Sequence, residues 1–262
     1  MQNRKPSEQI SINAAKFSRS YVACFKADCN GRPYHAGTLT GIDLGHQTVL
    51  VTAKHVLEKD NANPCDEDNV LYAFVDGKID QLNQLQSAIL PQPNGNFLDI
   101  SVFVPETHDP SQVVSSPIPL SAVMTSPPTI TQYLVACGFP ETKNRRKGRE
   151  MSNRPYGYFG KPRDIAARYH CDYDPGFHFG IEINLKKTYR GNLREIIAPC
   201  PQGISGGPIF VTYDFAPNAQ IECMLAGIVI ARDPESKYLI GVHAGVIVDM
   251  ARELLGQQSP TT

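Results

Sequence analysis

Short apolar runs cut apart by glycine and proline constrain this chain more than any other feature. Val49 to Ala53, Val70 to Val75, Leu98 to Val104, Tyr133 to Cys137, Ile209 to Thr212, Met224 to Ile230 and Tyr238 to Val242 are rich in Val, Ile, Tyr and Phe. Such side chains pack well on a pleated surface, and turn residues bound each run, so each predicts a strand. Gly37 to Asp43, then Leu44-Gly45-His46, then Gln47 to Thr52 predicts a hairpin. With 20 glycines and 21 prolines in 262 residues, only one stretch keeps a helical spacing. Ile247, Val248, Ala251, Leu254 and Leu255 predict a terminal helix that stops at Gly256. Many short strands and one late helix imply an all-β sandwich or barrel, not alternating α/β.

Two stretches interrupt the strand pattern. Six prolines between Pro105 and Pro128 suit an extended connector between two β units. Glu141 to Asp174 reads as irregular and opens on Lys143, Arg145, Arg146, Lys147 and Arg149. A basic run of this kind is a solvated surface loop, or else a patch for a phosphate or a partner. Hydrophobic residues at 41% and charged residues at 19% describe a globular chain, and a net charge of -1 gives no general attraction to nucleic acid or membrane. No stretch approaches the ~20 apolar residues that cross a bilayer. Met1 to Lys16 is polar and lacks the apolar core of a secretory signal, so the expected location is cytoplasmic. The seven cysteines, Cys24, Cys29, Cys65, Cys137, Cys171, Cys200 and Cys223, are odd in number, irregular in spacing and without a CxxC pair. They are expected to be reduced and mostly buried, with no metal site.

The chemistry concentrates in Gln202-Gly203-Ile204-Ser205-Gly206-Gly207-Pro208, directly before the strand Ile209-Phe210-Val211. Glycines around a serine let the backbone turn tightly and aim its N–H groups at one point. The Gly203 and Ser205 amides then form a candidate oxyanion hole for a reacting carbonyl. A serine hydroxyl needs a base, and His55 has the most distinctive setting of the seven histidines, just beyond Val49-Leu50-Val51-Thr52. Asp99 in Phe97-Leu98-Asp99-Ile100-Ser101 is an acid within an apolar run. Burying it is costly unless it is paired, and a histidine N–H is its natural partner. His55, Asp99 and Ser205 are therefore the candidate catalytic residues.

Four segments, taken in order, resemble the chymotrypsin/trypsin-like serine protease superfamily, in particular its HtrA-like and glutamyl-endopeptidase-like bacterial branches. They are Thr52-Ala53-Lys54-His55, Leu98-Asp99-Ile100, Gly138-Phe139-Pro140 and Gly203-Ile204-Ser205-Gly206-Gly207-Pro208. The resemblance implies two six-stranded antiparallel β-barrels with a C-terminal helix. It divides the chain into an N-terminal segment 1–13, a first barrel 14–110, a Pro-rich linker 111–130, a second barrel 131–246 and a helix 247–256. His55 and Asp99 would come from the first barrel and Ser205 from the second. The implied activity is peptide-bond hydrolysis through an acyl-enzyme, with a protein or peptide substrate, no cofactor, and room for an activating protein partner.

Departures from the pattern carry information. Ile204 stands where secreted members place the aspartate that pairs with a newly cut N-terminus, and Val56 stands where many carry a cysteine. Both fit an enzyme that needs neither zymogen cleavage nor oxidation. Ile230 follows Gly227-Ile228-Val229 where digestive members carry a serine that supports the aspartate, so Asp99 is expected to use other donors. By resemblance the substrate pocket is walled by Ile230, Ala231 and Arg232 and by Gly241 and His243, with its base near Cys200. His243 is either a contact for a Glu or Gln side chain or a core histidine. Two rivals remain. The Gly203-to-Gly207 spacing also fits the GxSxG elbow of an esterase, but that elbow requires a helix after the serine, and Pro208-Ile209-Phe210-Val211 reads as a strand. The other rival is a catalytically silent, protease-like binding or scaffold module.

Overall fold

The computed structural model describes residues 17–58, 70–75, 78–82, 86–88, 90, 98–105, 109–129, 131–143, 146–147, 150–151, 155–165, 173–183, 185, 188–190, 195–196, 198–212, 223–233 and 238–257. The expected hairpin is present. Gly45 takes φ 92°, the left-handed turn conformation, so Asp43 pairs with Thr48 across it. The first unit contains β1 (Tyr21–Ala27), β2 (Pro33–Asp43), β3 (Thr48–Thr52), β4 (Leu71–Val75), β5 (Lys78–Leu82), β6 (Gln86–Ala88), β7 (Ser101–Val104) and β8 (Ile118–Pro119). They form one sheet in the order β5-β4-β1-β2-β3-β7-β6, with β8 added to β2 in parallel.

The second unit contains β9 (Tyr133–Gly138), the small hairpin β10 (Arg146–Lys147) and β11 (Glu150–Met151), then β12 (Tyr156–Arg163), β13 (His178–Ile183), β14 (Thr188–Arg190), β15 (Glu195–Ile196), β16 (Pro208–Thr212), β17 (Cys223–Arg232) and β18 (Tyr238–His243). Six of these close on themselves, because β12 pairs with β9 on one side and β13 on the other. Closure removes both sheet edges. The fold is therefore all-β, a closed six-strand barrel beside a half-barrel sheet, with a C-terminal helix. Strand β12 lies inside the stretch expected to be irregular. Its burial alternates along the strand, but Gly157, Gly160 and Pro162 conceal the pattern in sequence. Gly160 is required there: a Cβ would strike the Glu182 carbonyl oxygen across the pairing.

Short elements complete the frame. Helix α1 (Lys54–Leu57) is a single turn after β3, and α2 (Pro110–Val113) is capped by the Asp109 side chain on Ser111 N–H at 2.9 Å. The described part of the proline-rich connector buries Val113, Val114, Ile118, Val123 and Met124. The terminal helix α3 (Ala244–Gln257) exceeds its expected span at both ends and runs through Gly256. Glycine costs a helix only about 1 kcal/mol, which a final turn tolerates. Among the described residues no helix is long and apolar enough to cross a membrane.

The cysteines depart from expectation at one position. Cys24, Cys137, Cys200 and Cys223 are free, but Cys29 is disulfide-bonded, so the chain does not carry seven free thiols. Cys29 occupies the exposed β1–β2 turn, whereas Cys24, Cys137 and Cys223 are buried and behave as small hydrophobes. Cys65, Cys171, Arg145 and Arg149 lie outside the described residues.

Candidate active site

His55 is delivered by the turn that follows a buried strand. Val56 and Leu57 anchor α1 in the core, and they leave the imidazole at the surface with 45% of its side chain exposed. The Asp99 segment differs from expectation. Leu98-Asp99-Ile100 precedes β7 as a bend, with Ile100 N–H donating to the Leu98 carbonyl at 2.8 Å. Leu98 and Ile100 are buried, while the Asp99 carboxylate is 37% exposed. The bend turns the acid away from the core and toward His55.

Both Asp99 oxygens are used on His55. Oδ2 lies 2.8 Å from Nδ1, and Oδ1 accepts the His55 backbone N–H at 2.9 Å. The second bond supplies the support that Ile230 cannot give. Burial alone lowers the His55 pKa, but the hydrogen bond and charge of Asp99, aided by Glu58, outweigh it and leave the value raised above 6.5. Nε2 is left as the ring nitrogen available to a nucleophile. Ser205 lines the same cleft of about 530 Å³ as His55 and Asp99. Among the described residues no hydrogen bond joins the Ser205 hydroxyl to His55.

The serine loop is held by hydrogen bonds that leave a particular pair of amides unused. Ile204 N–H donates to Pro201 O, Gly206 N–H to Val229 O at 2.7 Å, and Gly207 N–H to Ile204 O at 2.9 Å. The Gly203 and Ser205 N–H groups donate to nothing among the described residues. The Gln202 carbonyl accepts from Glu141 N–H at 2.8 Å, and a trans peptide then turns Gly203 N–H the opposite way. Gly203 has φ 89°, and a Cβ there would sit 2.9 Å from Glu141 N and from His35 Cε1. Backbone angle and close approach both demand glycine. His35, pushed down to about 4 chiefly by burial, is a neutral wall of the cleft near physiological pH.

Residues not singled out in sequence join the two units behind the serine. Thr38 N–H donates to Ser205 O at 2.8 Å, and Thr40 Oγ1 donates to Gly206 O at 2.8 Å. Thr52 Oγ1 donates to Thr38 O at 2.9 Å, and Thr38 Oγ1 accepts Phe139 N–H at 3.3 Å. All three threonines are fully buried. Threonine is a common strand residue, so nothing local in β2 or β3 distinguished them. Gly206, at φ 87°, is as constrained as Gly203: a Cβ would strike the Thr38 carbonyl oxygen.

The expected pocket residues divide. Ile230, Ala231 and Arg232 line the cleft, and the bulge in the β17–β18 register at Ile230 re-aims that strand end. Gly241 and His243 do not line it. Gly241 packs below Ile209, and His243 is buried, stacked on Phe179 with ring centroids 4.9 Å apart. Leu239 and Glu141, not expected from sequence, do line the cleft.

No protein-family model matches the sequence, and no curated protein matches it. Solved structures do. The scabies mite inactivated protease paralogue S-I1 shares 14% identity over 93% of this chain and 97% of its own, at a TM-score of 0.54. A structure named GrC shares 12% identity over 91% of this chain and 95% of its own, at a TM-score of 0.53. At these identities the likeness is one of fold. The chain has the chymotrypsin-like serine protease fold, a fold whose members include inactive paralogues.

Proposed function

We propose that this protein is a serine endopeptidase that cleaves peptide bonds through an acyl-enzyme. Ser205 Oγ attacks the carbonyl carbon, and His55 Nε2 takes the hydroxyl proton and returns it to the leaving amine. Water then repeats the sequence to release the acid. Asp99 fixes the His55 tautomer and stabilises the imidazolium. The Gly203 and Ser205 amides hold the developing oxyanion. The observation that carries this reading is the pattern of amide use from Gly203 to Gly207: the two N–H groups that an oxyanion requires are the two in that stretch that donate to nothing among the described residues. Both residues line the cleft, where the carbonyl oxygen of a bound peptide would accept from the two amides. A protein or peptide substrate and no cofactor accompany the proposal.

The missing Ser205–His55 hydrogen bond favours one rival, a silent protease-like module. Such bonds often tighten only in the substrate complex, so their absence does not decide against catalysis. Turnover of a peptide library separates the readings. Ser205→Ala and His55→Ala should each lower kcat/KM by about 10³-fold or more with the fold intact. Parent-level cleavage by purified Ser205→Ala contradicts the assignment.

A further inference from the structure

Among the described residues Arg232 is a cation of the cleft without an ion-pair partner. Arg232 ends β17 and lines the cleft beyond the apolar stretch Val229, Ile230 and Ala231. Its guanidinium donates a single hydrogen bond, to Cys200 Sγ at 2.7 Å, on the segment that leads into the serine loop. A thiol is a weak acceptor, and guanidinium carries five N–H donors, so most of its hydrogen-bonding capacity is unused. Among the described residues Arg232 forms no ion pair. Glu141 shares the cleft, yet its backbone lies against Gly203 and its carboxylate is not paired with Arg232. Asp233 is buried and does not line the cleft. Glu235 lies outside the described residues.

We propose that Arg232 is the specificity-determining residue of this cleft and selects a Glu or Asp side chain on the acyl side of the scissile bond. This rests on the endopeptidase reading above. The physical case is one of desolvation. A bound peptide covers the mouth of the cleft and strips water from an already exposed guanidinium. An apolar or cationic side chain leaves that charge unpaired, whereas a carboxylate accepts two parallel N–H donors in the planar geometry guanidinium offers. The carboxylate takes over from Cys200, a much poorer acceptor, so little is lost in the exchange. Ile230 and Leu239 line the cleft beside Arg232. His243, buried behind Phe179, has no part in this selection.

Binding and turnover test the proposal separately. Tetrapeptide amides ending in Glu, Gln, Leu or Arg are titrated by NMR into the Ser205→Ala protein, and the corresponding longer peptides are given to the parent enzyme. The Glu peptide should bind about tenfold tighter than its Gln isostere, with kcat/KM in the same order. Arg232→Gln should level the two, and Arg232→Glu should turn the preference toward Arg. Unchanged Tm in both variants shows that the fold is intact; should one unfold, the other still reads the preference. Equal binding of Glu and Gln, or an acid preference that survives in Arg232→Gln, overturns the proposal. A protein that cleaves nothing yet keeps an Arg232-dependent acid preference contradicts the endopeptidase reading and supports this one. A protein that cleaves without acid preference does the reverse.

Discussion

Thr40 offers a direct view of how the first unit positions chemistry in the second. Its hydroxyl is fully buried and donates to the Gly206 carbonyl at 2.8 Å, one residue beyond Ser205. Thr40→Val keeps the shape and removes the donor. The carbonyl is then left unpaired in a dry interface, which costs about 1–3 kcal/mol. Valine is the more apolar side chain, and that gain draws the net toward the lower figure. Thr40→Ser keeps the donor and loses one buried methyl group, about 1 kcal/mol or slightly less. For a chain of this size Thr40→Val should lower Tm by about 2–6 °C. The rate of peptide cleavage should fall by more than stability explains, because a displacement of ~1 Å at the nucleophile can cost ~100-fold. Thermal unfolding and kcat/KM on one peptide, for parent, Val and Ser variants, make the assay. A Val variant as stable and as active as the parent, or more so than Ser, refutes the reasoning.

Two further predictions concern the loop and the base. Gly203→Val forces a β-branched residue to φ 89° against Glu141 N and His35, so kcat should collapse with KM little changed; a raised KM at preserved kcat contradicts the oxyanion role. Catalysis needs neutral His55, and its raised pKa should place the acid limb of the pH–rate profile above 6.5, with Asp99→Asn moving it down. The same shift stabilises the fold below pH 6.5, a contribution that fades as pH rises through the folded value, and an acid limb unmoved by Asp99→Asn contradicts the coupling.

What the sequence made legible follows from how local each signal is. Strands β3, β9, β17 and β18 were readable because β-branched runs and bounding glycines are properties of neighbouring residues. Strand β12 was hidden because Gly160 and Pro162, breakers in isolation, answer to a partner strand and to barrel closure. The catalytic candidates were readable as an ordered set of motifs. The bend at Asp99 was not, since it depends on Leu98 and Ile100 finding the core on the far side. The pocket was the least legible part. One bulge at Ile230 decides which side chains at the end of β17 meet the cleft, and it gave Arg232 a place there while His243 stacked on Phe179. Register across a sheet is set by tertiary packing, and no neighbouring residue announces it.

The proposed chemistry rests on Ser205 acting as a nucleophile activated by His55. A fluorophosphonate probe reacts with such a serine, and mass spectrometry of the labelled protein identifies the modified residue. One adduct is expected, on Ser205, formed by the parent and abolished in His55→Ala. An adduct on another residue, or labelling of Ser205 that proceeds as fast without His55, contradicts it.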